Sequence, residues 1–279
     1  MPYRRAWLWV LLLFPAVGLA FWPGYFAQLA SVSWILHAHG LTAMLWTALV
    51  ALQSWSIHRG GRAVHKAAGR ASLFLFPLFW TSGLLIVQFM AAGFVAKDNP
   101  FHTLFGARLA AVDIIGSAAI LFLYWTAISR RRSTLVHAAA MLAILLFLLP
   151  PIFVRLLQIG GPLAIRGPDQ FYKFGPDFDL CNLACILIAL RLYALRPRTA
   201  WPFLVAGVAI ALQTLAFETL GRTGAWSAAC AMIAGIPTAA LAAVALAVSA
   251  AVVWLAWTHP ERTRRREGGA PAPEAAATA

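Results

Sequence analysis

Charged residues are scarce in this chain. They make up 11% of its 279 residues, whereas soluble domains carry about a quarter, so the chain has too little charge to cover a water-facing surface. Acidic residues are scarcer still, nine Asp and Glu against 22 Lys and Arg. That imbalance alone suggests a nucleic-acid partner. The basic residues, however, fall in short clusters between apolar runs, and no basic face with interleaved aromatics lies outside those runs, which argues against nucleic acid. Cysteine is limited to Cys181, Cys185 and Cys230. Their spacing matches neither a disulfide framework nor a zinc site, so they read as buried free thiols. No nucleophile elbow, P-loop or zincin helix is present, and no internal repeat. The sequence therefore assigns no reaction.

Apolar residues are what the chain has in excess, at 62% with a mean hydropathy of +0.78. Stretches of about 20 apolar residues, the length that crosses a bilayer, recur at 6–22, 33–56, 72–95, 107–128, 137–158, 177–193, 201–219 and 237–257. The expected fold is all-α: a polytopic transmembrane helical bundle of about eight spans in one domain, 1–258, followed by a polar tail, 259–279, rich in Ala, Pro and Glu and expected to be disordered. Its first partner is the lipid bilayer. With eight spans both termini share a side, and alternate loops then collect 16 basic residues: Arg4, Arg5, Arg59, Arg62, Lys66, Arg70, Arg130 to Arg132, Arg191, Arg196, Arg198, Arg262 and Arg264 to Arg266. Six fall opposite: Lys97, Arg108, Arg155, Arg166, Lys173 and Arg222. The positive-inside rule makes the richer side cytoplasmic. Tryptophans such as Trp22, Trp34, Trp55 and Trp257 near span ends fit interfacial belts. Gly18-Leu19-Ala20 also resembles a signal-peptide cleavage site; the segment is read as retained because another span follows at once.

Polar groups inside spans are expensive and point to function. On this topology His39, Asp113, Arg155, Asp179 and Glu218 all fall in the outer half. They form the candidate ligand site, with His39, Asp113, Asp179 and Glu218 as candidate metal ligands, because one imidazole with carboxylates suits iron, manganese or zinc. Helical spacing places His39, Trp46 and Gln53 on one stripe, Asp113, Gly116, Ser117 and Tyr124 on another, and Gly207, Ala211, Thr214 and Glu218 on a third. His39 and Asp113 are expected to approach each other. Pro150 and Pro151 predict a kink in the fifth span. His58, His65 and His137 form a second group at the cytoplasmic face, beside arginine or lysine, where lipid anchoring is the plainer role.

Several short motifs follow one another in order: Phe21-Trp22-Pro23, His37-Ala38-His39-Gly40, a loop Val64-His65-Lys66-Ala67-Ala68-Gly69, then Asp113, His137 to Met141, Pro150-Pro151 to Arg155, and Asp179. In this the chain resembles a widespread family of bacterial multi-pass inner-membrane proteins that carry HxHG, LHRxxG-like and HxxxM motifs and have no assigned activity. The resemblance implies an inner-membrane location. Lys66 stands where that family has arginine, and Ala138 to Ala140 replace its basic and bulky residues. The chain is also more loosely similar to b561-type membrane cytochromes, which implies heme b between histidines on facing helices, with His65 and His137 as the inner pair.

Three functions fit these readings: an extracytoplasmic-side site for a metal, heme or small ligand, with or without redox chemistry; a proton-coupled small-solute transporter using Asp113 and Glu218; or a structural or assembly factor whose polar residues set helix registry.

Overall fold

The structure is a computed structural model that describes residues 3–160 and 163–261. The expected disordered tail lies outside the described residues from Arg262 onward. The chain is a polytopic bundle of α-helices, and seven helical stretches among the described residues are long and apolar enough to cross a membrane. Large apolar side chains stand exposed on it, among them Trp9, Phe74, Leu187 and Met232. An aqueous surface would not carry them, whereas lipid removes the penalty.

The first segment is shorter than a full span. It is helical as α1 (Ala6–Leu11) and α2 (Leu13–Phe21), broken where Pro15 supplies no amide for the Leu11 carbonyl. At about 1.5 Å per residue Ala6–Phe21 reaches about 24 Å, short of the roughly 30 Å hydrocarbon layer. Helix α3 (Trp34–His58) matches the second expected span. Helix α4 (Arg62–Ala96) begins ten residues before the expected 72. The Val64 to Gly69 stretch, expected as a loop, is therefore its first turns, and the connection from α3 shrinks to a tight turn in which Gly60 takes φ +79.

Helix α5 (Pro100–Ser129) also starts early. Asn99 caps it by accepting from the His102 amide at 2.8 Å, with Pro100 at the first helical position. His102, expected in a loop, is instead buried in the first turn. The fifth span divides as expected into α6 (Thr134–Leu145), a 3-10 turn at Leu146–Leu148 and α7 (Leu149–Ile159). That turn lies where Pro150 and Pro151 leave the Leu146 and Phe147 carbonyls without intrahelical donors. Helices α8 (Phe174–Leu195) and α9 (Trp201–Glu218) follow. The stretch after Glu218, expected as a connection, holds a short apolar helix, α10 (Gly224–Gly235), before the last span, α11 (Thr238–Thr258).

Helix α5 is the hub, with α4, α6, α9 and α11 packed on it, α3 on α4, and α8 on α9. Its core centres on rings: Tyr124 and Phe76 stack at 3.7 Å, and Trp46 and Phe79 at 5.6 Å. Side-chain hydrogen bonds tie the helices where no water competes. Trp80 donates to the Ser117 carbonyl at 2.7 Å, Gln213 to Val112 at 2.9 Å, Gln88 to Ile236 at 2.6 Å, and Asn182 to the Thr214 hydroxyl at 2.9 Å. Small residues permit the close approaches. A Cβ on Gly106 would fall 2.6 Å from the Met90 carbonyl oxygen, and one on Gly116 2.7 Å from Gln213 Nε2. On the three stripes set by helical spacing, Trp46, Gly116, Ser117, Tyr124 and Gly207 are buried, whereas Ala211 is exposed. The three cysteines are free and buried.

Candidate functional site

The expected outer site does not assemble as one set. Its residues fall in three separate places, because neighbours in depth need not be neighbours around the bundle.

His39 belongs to the α3–α4 interface. Its Nδ1 lies 3.4 Å from the Ser82 hydroxyl, which also bonds Thr42 Oγ1 at 2.8 Å. Its ring stacks on Phe79, with centroids 6.3 Å apart. Neighbouring His37 turns away, as its two-residue offset requires, and meets Tyr25 Oη at 2.7 Å.

Asp113 lies on α5, where the charge of Arg155 of α7 acts on it, but the two form no direct ion pair. Among the described residues the ion pairs are His102–Asp98, Arg108–Glu218, Arg130–Glu261 and Arg222–Glu218. Arg155 instead donates to the Pro151 carbonyl at 3.0 Å and covers the Phe21 ring of α2 at 4.3 Å.

Asp179 and Glu218 do come together. They share a cavity of about 490 Å³ at the end of the bundle away from the arginine-rich loops, where α5, α8 and α9 meet. Arg108 of α5 and Arg222 line it with them, beside an apolar wall that includes Leu104, Phe105 and Tyr172. Glu218 is the bridge. Its Oε1 accepts from Arg108 Nη2 at 2.5 Å and its Oε2 from Arg222 Nη2. Arg108 also donates from Nε to the Phe217 carbonyl at 2.9 Å and lies 3.6 Å from the Phe217 ring centroid. A carboxylate at the C-terminus of α9 opposes the helix dipole, and the two guanidiniums compensate it. The 3-10 turn Leu220–Arg222 reaches α5 because Gly221 has no side chain: a Cβ there would sit 2.6 Å from Arg108 Cα. Asp179 feels both arginines and Glu218, yet its buried Oδ1 has no hydrogen-bond partner among the described residues.

Arg108 and Arg222 line this pocket but were not among the site residues expected from the sequence, where both count only toward topology. The signals were available: Arg222 is four residues after Glu218, and Arg108 falls inside an apolar run. Asp177 was missed too. It is 1% exposed, and its Oδ2 likewise has no partner among the described residues. Its i+4 and i+8 neighbours, Cys181 and Cys185, mark the inward face of α8.

At the arginine-rich end His65 and His137 interact electrostatically. The Nδ1 of His65 lies 3.3 Å from the Gln53 carbonyl oxygen, that of His137 2.8 Å from the Ala127 carbonyl, and that of His58 2.6 Å from the Ser54 carbonyl within its own helix. Arg131 clasps the end of α11 there. It donates to the Ala256 and Trp257 carbonyls at 3.4 and 3.0 Å and lies 4.5 Å from the Trp257 ring. Burial, then the charge of Arg132, lowers its pKa from the usual arginine value.

No group of three or more His, Cys, Asp or Glu side chains among the described residues is arranged to hold a metal ion. The expected set His39, Asp113, Asp179 and Glu218 is divided between separate places, with Glu218 held by arginines. No family profile, curated protein or solved structure matches this chain.

Proposed function

We propose that this chain is a bacterial inner-membrane protein in which the short first segment, with Tyr3 against Phe203 at one end and Phe21 under Arg155 at the other, makes an eighth crossing that leaves both termini cytoplasmic, and that it binds a small polar ligand in the pocket on its extracytoplasmic side. The observation that carries the reading is the cavity of about 490 Å³ lined by the Arg108–Glu218–Arg222 bridge and by Asp179. A cavity with an apolar wall and a few convergent polar groups is how small-molecule sites are usually built. Sixteen basic residues against six across alternate loops support the orientation. Two measurements test it. Tyr172→Cys at the pocket should react with an impermeant maleimide in intact cells while Arg131→Cys does not. Purified protein should be stabilised thermally by a small polar solute, and Arg108→Ala should abolish the shift. Labelling at 131, or a shift indifferent to Arg108, refutes the reading.

A second reading, proton-coupled solute transport, is favoured by one observation: Asp113 interacts electrostatically with Arg155, a residue of the helix that follows the break between α6 and α7. Glu218 is poorly suited to release protons while two arginines hold it, so Asp113 would carry that role alone. Flux in proteoliposomes should then fail with Asp113→Asn. Unchanged flux removes this reading.

A further inference from the structure

We infer that the pocket at the end of α5, α8 and α9 is built for a zwitterion, a ligand bearing an anionic group and a primary ammonium a few ångströms apart. The inference rests on the reading above, that this pocket binds a small ligand, and specifies the ligand's chemistry.

The first support is the charge inventory. Arg108, Arg222, Asp179 and Glu218 line the pocket with two groups of each sign. Beside a membrane's low-dielectric interior, a ligand with net charge would leave an uncompensated charge behind, while a neutral ligand with both signs would not.

The second support is how the four groups are occupied. Both Glu218 oxygens are used, one by each guanidinium. A guanidinium has five N–H donors, and Arg108 commits its Nε and one Nη2 bond to protein partners. Its face is covered by the Phe217 ring, so its remaining donors act in the plane of the group, the geometry that suits a carboxylate or phosphate. Gly175 keeps that edge open. A Cβ there would lie 3.9 Å from Arg108 Nη2 and 3.7 Å from Glu218 Oε1, so a longer side chain would enter the ligand's space.

Asp179 supplies the complementary half. It lines the pocket, and among the described residues it takes part in no ion pair, because the arginines beside it are held by Glu218. An ammonium brought by the ligand provides the opposite charge. The apolar wall with Leu104, Phe105 and Tyr172 then takes the rest of the ligand. The same chemistry has two sources: a free amino acid, or the phosphoethanolamine headgroup of a membrane lipid with its chains running down the outside of the bundle.

The test uses the full chain purified in detergent. Binding is measured for L-leucine, glycerophosphoethanolamine, glycerophosphocholine, inorganic phosphate and ethylamine. Leucine or glycerophosphoethanolamine should bind at least about tenfold more tightly than phosphate or ethylamine alone. Glycerophosphocholine, whose quaternary nitrogen donates no N–H, should fall with the weak ligands. Asp179→Asn should erase the preference for the amine-bearing ligand, Gly175→Leu should weaken binding without altering any charged group, and Glu261→Gln at the opposite face should match the parent. Native mass spectrometry from nanodiscs of phosphatidylethanolamine or phosphatidylcholine separates the sources: retained phosphatidylethanolamine identifies the lipid, and leucine binding without it the free solute. If phosphate binds as tightly as the zwitterions and Asp179→Asn changes nothing, the inference fails while the pocket reading stands. If no probe binds, both fail.

Discussion

Glu218 should be the stability-determining member of the pocket, and the two limbs of its bridge should contribute unequally. The Arg108 side chain is 12% exposed, Glu218 33% and Arg222 55%. A hydrogen bond to a charged group held largely out of water contributes about 1.5–3 kcal/mol, whereas an exposed pair contributes under about 1 kcal/mol. Glu218→Ala removes both limbs and leaves Arg108 the Phe217 carbonyl, the Phe105 and Phe217 rings and the more distant charge of Asp179, so it should destabilise by about 2–4 kcal/mol. Glu218→Gln retains an amide oxygen that accepts from one arginine and should fall at the low end. Arg222→Ala should stay below about 1 kcal/mol. Reversible unfolding in mixed micelles, run as a double-mutant cycle, separates the limbs. The Arg108–Glu218 coupling should exceed the Arg222–Glu218 coupling severalfold and persist in high salt, while the latter is screened. If the couplings are equal, or both vanish with salt, Glu218 is not desolvated as described and the reasoning is wrong.

Gly93→Ala should destabilise by roughly 1–3 kcal/mol, because its Cβ would fall 2.2 Å from His102 Nδ1, on a ring held by Asp98 at 2.8 Å and Asn99 at 3.0 Å. Gly18→Ala, with nothing within 4 Å, should be neutral or stabilising in the same thermal assay. Arg131→Ala should free the end of α11: loss of its bonds to Ala256 and Trp257 and its contact with the Trp257 ring corresponds to about 1–2 kcal/mol, read as faster hydrogen exchange confined to the last turns of α11. Asp113→Asn removes a charge at nearly constant shape, so membrane insertion and yield should match the parent while any pH dependence of flux in proteoliposomes is lost.

The fold class was legible because lipid imposes it locally. Each run of about 20 apolar residues has to satisfy its own backbone, so the spans, the all-α bundle and the break at Pro150-Pro151 follow from the order of residues alone. Helix ends were less legible where polar residues extend a helix past its apolar run, as at Arg62 to Gly69 of α4 and Pro100 to Gly106 of α5. Capping and tertiary contact, rather than hydropathy, determine those ends. The grouping of the intramembrane polar residues belonged to the tertiary structure. Sequence periodicity reports depth and face for each helix but not which helices adjoin, and close approaches at Gly106, Gly116 and Gly221 decide that. The resulting arrangement groups Arg108 and Arg222 with Glu218 and Asp179, leaves Asp113 without an ion pair to Arg155, and sets His39 beside Ser82.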